Sequence, residues 1–108
     1  MSAIVLKVAR DYSKSVGGRY ASNGPFSGED FRQHKLLPAY IEAIRMHQTL
    51  VVDLDGGFGY PTSFLEESFG GLARATRDNC LLTIVIKSEE EPALINQIRN
   101  YIKRGLEE

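Results

Sequence analysis

Apolar positions along this chain follow two patterns. Ala3 to Arg10 (AIVLKVAR), Thr49 to Leu54 (TLVVDL) and Cys80 to Lys87 (CLLTIVIK) are short, dense runs rich in β-branched residues. Bounded by polar stretches, such runs predict buried strands. Between them the apolar residues are spaced three and four apart. Leu37, Tyr40, Ile41 and Ile44 fall on one helical face, Leu65, Phe69, Leu72, Ala73 and Thr76 on a second, and Leu94, Ile95, Ile98 and Ile102 on a third. Each is the stripe by which an amphipathic helix covers a core.

Turn and cap residues punctuate the pattern. Gly17 and Gly18 predict a turn, after which Arg19 to Ser22 (RYAS) reads as a short returning strand, making an N-terminal hairpin. Ser27 is placed to cap a helix from Gly28, with Glu29 and Asp30 at its positive end. Pro38 predicts that this helix, about 28–47, is broken, because proline has no donor for an interior bond. Ser63 with Glu66, and Ser88 with Glu91, have capping-box spacing; Pro92 suits a first turn and Gly105 a stop. Gly70 and Gly71 cost their helix up to about 1 kcal/mol each against alanine, which implies close backbone packing on a sheet. The expected fold is therefore α/β: a mixed sheet of about four strands (the N-terminal hairpin plus two parallel strands) with three helices.

Composition narrows the function. The 108 residues suit a single domain spanning 1–108, and 43% hydrophobic residues suffice for a core without staples. A lone cysteine, Cys80, points to a reducing compartment, hence a cytoplasmic protein, with the thiol expected to be buried and inert. No apolar run approaches the ~18 residues of a membrane span, and the N-terminal sequence lacks the regions of a signal peptide. With 13 basic against 14 acidic residues, neither nucleic acid nor a membrane surface is an expected partner.

Catalytic signals are sparse. Asp53 and Asp55 in VDLDGG have the spacing of the paired aspartates in haloacid-dehalogenase-like phosphatases. Gly57 stands where that motif has threonine, and no later acidic pair completes a magnesium site. The other reading makes both residues turn formers. A small phosphate- or nucleotide-binding domain, or a magnesium-dependent phosphatase using Asp53 and Asp55, is thus the alternative function. His34 and His47 lack companions for a zinc site, so surface or helix-end positions are expected. Arg32, Arg74 and Arg77 serve solubility or meet a partner's acids, and Glu89 to Glu91 open a helix. No catalytic residue, cofactor or metal site is assigned.

The segment LVVDLDGGFGYPTSFLEESFGGL (50–72), with Gly18-Arg19-Tyr20, Gly24-Pro25 and Ser27-Gly28-Glu29-x-Phe31-Arg32 upstream, resembles the STAS-like domains of unknown function. The resemblance points to the STAS modules of anti-sigma-factor antagonists. It implies a non-enzymatic, bacterial regulatory module working by protein–protein interaction and partner switching. Its implied partner is a histidine-kinase-like ATPase that phosphorylates a serine at a helix N-terminus. Aligning the central strands sets Pro61, Thr62, Ser63 and Phe64 on the Asp-Ser-Ser-Gly of the antagonists, making Ser63 the phosphoacceptor candidate and Thr62 its neighbour. Pro61 and Phe64 depart from that pattern. The implied contact surface comprises Phe58, Gly59, Tyr60, Pro61, Glu66 and Glu67, with Phe58 and Tyr60 either interface anchors or core residues at the sheet end.

Overall fold

A computed structural model describes residues 3–108. β1 (Ala3–Lys7) runs directly into a single turn, α1 (Val8–Asp11). Helix α2 covers 28–45, β2 is Thr49–Asp53, α3 covers 62–76, β3 is Val85–Lys87 and α4 is Ala93–Glu107. The strands form one sheet in the order β1-β2-β3, and both pairings are parallel. The α/β architecture is as the sequence implies, but the sheet has three parallel strands rather than four mixed ones, and α1 makes a fourth helix.

The missing strand is the second arm of the N-terminal hairpin. Ala21–Asn23 form a 3-10 turn instead, in which the Asn23 side chain accepts from the Tyr20 amide. The Gly28 and Glu29 amides donate to the Gly18 and Arg19 carbonyls, so this stretch is bound to the start of α2 rather than to β1. β1 itself ends early because the Asp11 carboxylate accepts from the Lys7 amide (2.9 Å) and turns the chain into α1. At the far edge, the run from Cys80 yields a strand only from Val85. Asp78 accepts from the Cys80 amide (3.0 Å), Leu81 N–H donates to the Asp78 carbonyl, and Asn79–Thr83 wind into a 3-10 helix. Cys80 is exposed there, not buried.

Alternation along the strands sends Leu6, Leu50, Val52 and Ile86 into the core, while Val5, Val51 and Val85, which are in register, point to the other face. Helix α2 packs on β1 and β2; α4 packs on α3 and β3. Phe31, Phe64, Phe69, Leu65 and Leu72 are fully enclosed between them. Burial of this order is the main source of stability, at about 25 cal/mol per Å² of apolar surface removed from water.

Both long inner helices contain a π turn. In α2 the Leu37 amide reaches the Arg32 carbonyl, and in α3 the Gly71 amide reaches Glu66, each five residues back. In α2 the cause is the next residue, Pro38, which has no N–H and whose ring crowds the preceding turn. The break that Pro38 predicted is thus a widening of one turn. The widened turn sets Phe31 and Leu36, five apart, on one face; in the regular winding that follows, Tyr40 and Ala43 continue that face, while Ile41 is 56% exposed and Ile44 is also exposed. The predicted α2 stripe holds at Tyr40 and, partly buried against the core, at Leu37, but not at Ile41 or Ile44. Gly71 does permit close packing, but against another helix: a Cβ there would lie 2.6 Å from Arg32 Nη1, whereas one on Gly70 would meet Glu66 and Arg74 of its own helix. Gly105 does not stop α4, which continues to Glu107; it is buried against α3.

Candidate functional site

Parallel strands present their C-terminal ends on one rim, where open α/β sheets hold their working loops. Register sets Lys7, Asp53 and Lys87 side by side on that rim. Asp53 is only 5% exposed. Its Oδ1 accepts from the Asp55 amide (2.9 Å), and its Oδ2 lies 3.5 Å from Lys7 Nζ and 3.6 Å from Lys87 Nζ. A carboxylate taken from water needs such partners. Asp55 Oδ1 accepts from the Glu90 amide (2.9 Å) and Oδ2 from the Glu89 amide (3.1 Å). Those two donors hold its carboxyl below the usual range. The Gly56 amide in turn donates to Glu90 Oε1 (2.7 Å). Asp53 and Asp55 thus fasten the loop after β2 to the loop after β3, as turn formers would. Among the described residues, no group of three or more His, Cys, Asp or Glu could hold a metal ion.

The loop 54–61 is built on this staple. Gly56 (φ 91°) and Gly59 (φ 131°) adopt backbone conformations that side chains resist. Tyr60 folds back: its hydroxyl donates to the Leu54 carbonyl (2.8 Å), and its ring lies 6.1 Å from that of Phe64. Burial, then the charges of Asp53, Asp55 and Glu90, push its phenol up to about 12. Phe58 points the opposite way and is 80% exposed, although its amide is tied to the Lys14 carbonyl (2.8 Å). The two aromatic residues therefore divide the roles the sequence left open: Tyr60 belongs to the rim of the core and Phe58 to the surface. Between loop and α4 start lies a notch of about 130 Å³, lined by Asp55, Phe58, Tyr60, Glu90, Glu91 and Leu94 among others.

Helix α3 begins at Thr62, with its cap two residues before the expected Ser63. Pro61 occupies the cap position and offers no side-chain hydrogen bond. The first backbone bond runs from the Leu65 amide to the Pro61 carbonyl (3.2 Å), so the amides of Thr62, Ser63 and Phe64 lie outside the ladder. Ser63 does not cap the helix, and Glu66 does not reach back to it. Among the described residues neither the Thr62 nor the Ser63 hydroxyl has a hydrogen-bond partner. Thr62 is exposed and Ser63 half-buried. The second expected box also differs: the Ser88 hydroxyl donates to the Glu91 carbonyl (2.7 Å), closing the turn before Pro92, which caps α4.

Glu66 and Glu67, the acidic members of the expected contact surface, join an ion-pair network with three arginines. Glu66 meets Arg19 (2.5 Å) and Arg74 (2.6 Å), and Glu67, 8% exposed, meets Arg32 (3.2 Å) and Arg19 (3.3 Å). The Arg74 and Arg19 guanidinium groups hold the Glu66 carboxyl below its ordinary range against the opposing effect of burial. Arg32 and Arg74 are therefore structural, whereas Arg77 is exposed and donates to the Arg74 carbonyl. His34 and His47 are both exposed; the His34 ring pairs with Asp30.

Sequence reasoning missed Lys7, Lys87 and Glu90 as rim residues, since only strand register and loop contact join them to Asp53 and Gly56. No helix among the described residues is long and apolar enough to cross a membrane. Neither a curated protein nor a solved structure gives a significant match to the chain. A family model does match, over residues 27–93, which take in α2, the stapled rim, the loop with Phe58 and all of α3. The chain belongs to the family of STAS-like domains of unknown function.

Proposed function

We propose that this protein is a non-catalytic regulatory module that docks a protein partner on the loop 56–62. The observation that carries the reading is Phe58: a large apolar side chain, 80% exposed, on a loop whose backbone is fixed at Gly56 and at Phe58 itself. A pre-ordered aromatic residue loses little conformational freedom on binding, which suits it to anchor an interface. The contact set is Phe58, Gly59, Pro61 and Thr62. Tyr60 supports it from beneath, and Glu66 and Glu67 are excluded because they are occupied internally.

The same reading gives Thr62 and Ser63 as the switch. Their hydroxyls have no structural duty in α3, and three unbonded amides at the helix start favour an added phosphoryl group, which brings about -1.5 to -2 charges at pH 7. The phosphorylating partner in this proposal is a histidine-kinase-like ATPase, of the kind that acts on anti-sigma-factor antagonists. Aspartates whose oxygens are engaged by loop amides and lysines support the docking reading over phosphatase chemistry.

Two measurements test this. Capture of the ATPase from native lysate should be lost in Phe58→Ala while the melting temperature stays within a few degrees; a strong fall in melting temperature would move Phe58 to the core. Intact mass of protein from its own cells should show a phosphoryl group absent from a Thr62→Ala/Ser63→Ala variant. An unmodified chain under every growth condition refutes the switch.

A further inference from the structure

The notch beside Phe58 has a chemistry that the docking reading leaves unused. Its walls carry the carboxylates of Asp55, Glu90 and Glu91, and no lysine or arginine lines it. Phe58 and Tyr60 supply aromatic rings, and the buried Leu54 and Leu94 close its floor. Asp55 spends both oxygens on amides, and Glu90 spends Oε1 on Gly56, but the Glu91 side chain is exposed. Among the described residues no cation lies within ion-pair distance of Glu89, Glu90 or Glu91. The local field is negative enough to help raise the Tyr60 phenol. At about 130 Å³ the space takes the head of one side chain, not a nucleotide, and its charge repels phosphate.

Resting on the docking reading above, we infer that this notch receives a single arginine side chain from the partner. A guanidinium plane stacks on the Phe58 ring, and its N–H groups turn to the carboxylates of Glu91 and Glu90. Carboxylate and aromatic ring together select a planar cation, which neither would do alone. The loop therefore gives the interface an apolar anchor and a charge filter side by side.

The inference is testable without the partner. A doubly capped Gly-Arg-Gly peptide, titrated into uniformly ¹⁵N-labelled full-length protein, should shift the amides of Gly56, Gly57, Gly59 and Glu90 saturably. The isosteric citrulline peptide should not move them. Binding should weaken about threefold in Glu91→Gln, and further on adding salt, as partly exposed charge pairs do. Equal shifts with citrulline, no shifts with the arginine peptide, or an unchanged affinity in both Glu91→Gln and Glu90→Gln overturn the inference. Partner capture serves as the separate control. If capture needs Phe58 but is indifferent to Glu90 and Glu91, the notch assignment fails and the docking reading stands. Peptide binding with capture that ignores Phe58 overturns the docking reading and keeps the notch's preference for a cation.

Discussion

Gly105 gives the sharpest test of how α4 is seated. In an open helix, Gly→Ala gains up to about 1 kcal/mol, and less within a turn of the helix end, where Gly105 lies. Here the added Cβ would sit 2.7 Å from Ala73 Cβ and 2.7 Å from the Gly70 carbonyl oxygen. Carbon atoms in ordinary contact stand about 3.5–4.0 Å apart. Neither neighbour can rotate aside: one is a backbone atom and the other a side chain one carbon long. Helix α4 must therefore back away from α3, loosening Ile98 and Ile102, which are buried on the same face. Overpacking of this kind costs about 1–3 kcal/mol. Repulsion exceeds propensity, and Gly105→Ala should lose ~1–2 kcal/mol, each kcal/mol lowering the melting temperature by about 4–8 °C in a domain of this size. Urea titration followed by far-UV circular dichroism measures it, with the denaturant slope unchanged. A variant as stable as the parent, or more stable, would show that the α3–α4 contact is not set by this glycine.

Other outcomes follow from the charged and reactive groups. The carboxyl of Glu66 is held below its ordinary value of 4.5 by Arg74 and Arg19, so its stabilising effect is complete above that value and fades as pH falls through the lower, folded value. Glu66→Gln should flatten the acid side of a stability–pH curve; a parallel curve for both proteins would refute the network's role. Cys80 is exposed, so a thiol reagent should modify the folded protein completely. Its hydrogen bond to Asp78, then the charge of that aspartate, raise the thiol pKa, so the native reaction at neutral pH should be slower than in urea. A faster native reaction would refute this.

The elements were largely legible because their signals are local. Strand β2 begins at Thr49 and ends within one residue of the expected Leu54, and Ser27 accepts from the Asp30 amide (3.0 Å) at the start of α2, as read from the sequence. What was misread depends on distant partners. Arg19 suggested a strand because its destination, Glu66, is 47 residues away. The Ser63–Glu66 spacing suggested a cap for the same reason: Glu66 is bound to Arg19 and Arg74 instead. The α2 stripe was set one position late, at Leu37 and Ile44 rather than Leu36 and Ala43, because apolar residues stand on both faces of this helix; the π turn beside Pro38 leaves no periodic trace of its own. At the candidate site, Gly56, Gly59 and Pro61 identified the loop. Which aromatic residue faces outward was decided by a carbonyl, that of Leu54, which the sequence cannot orient.

The two widened turns touch. Arg32 opens one, Glu67 lies in the other, and their side chains meet at 3.2 Å. Each helix thus carries a residue in surplus over a regular winding. A wide turn absorbs its extra residue locally, so deleting one residue from either should let that turn close to a regular one while the helix beyond it keeps its face toward the core. Each turn should therefore take a one-residue deletion without displacing the core, the Arg32–Glu67 bridge between them being the contact that has to be remade.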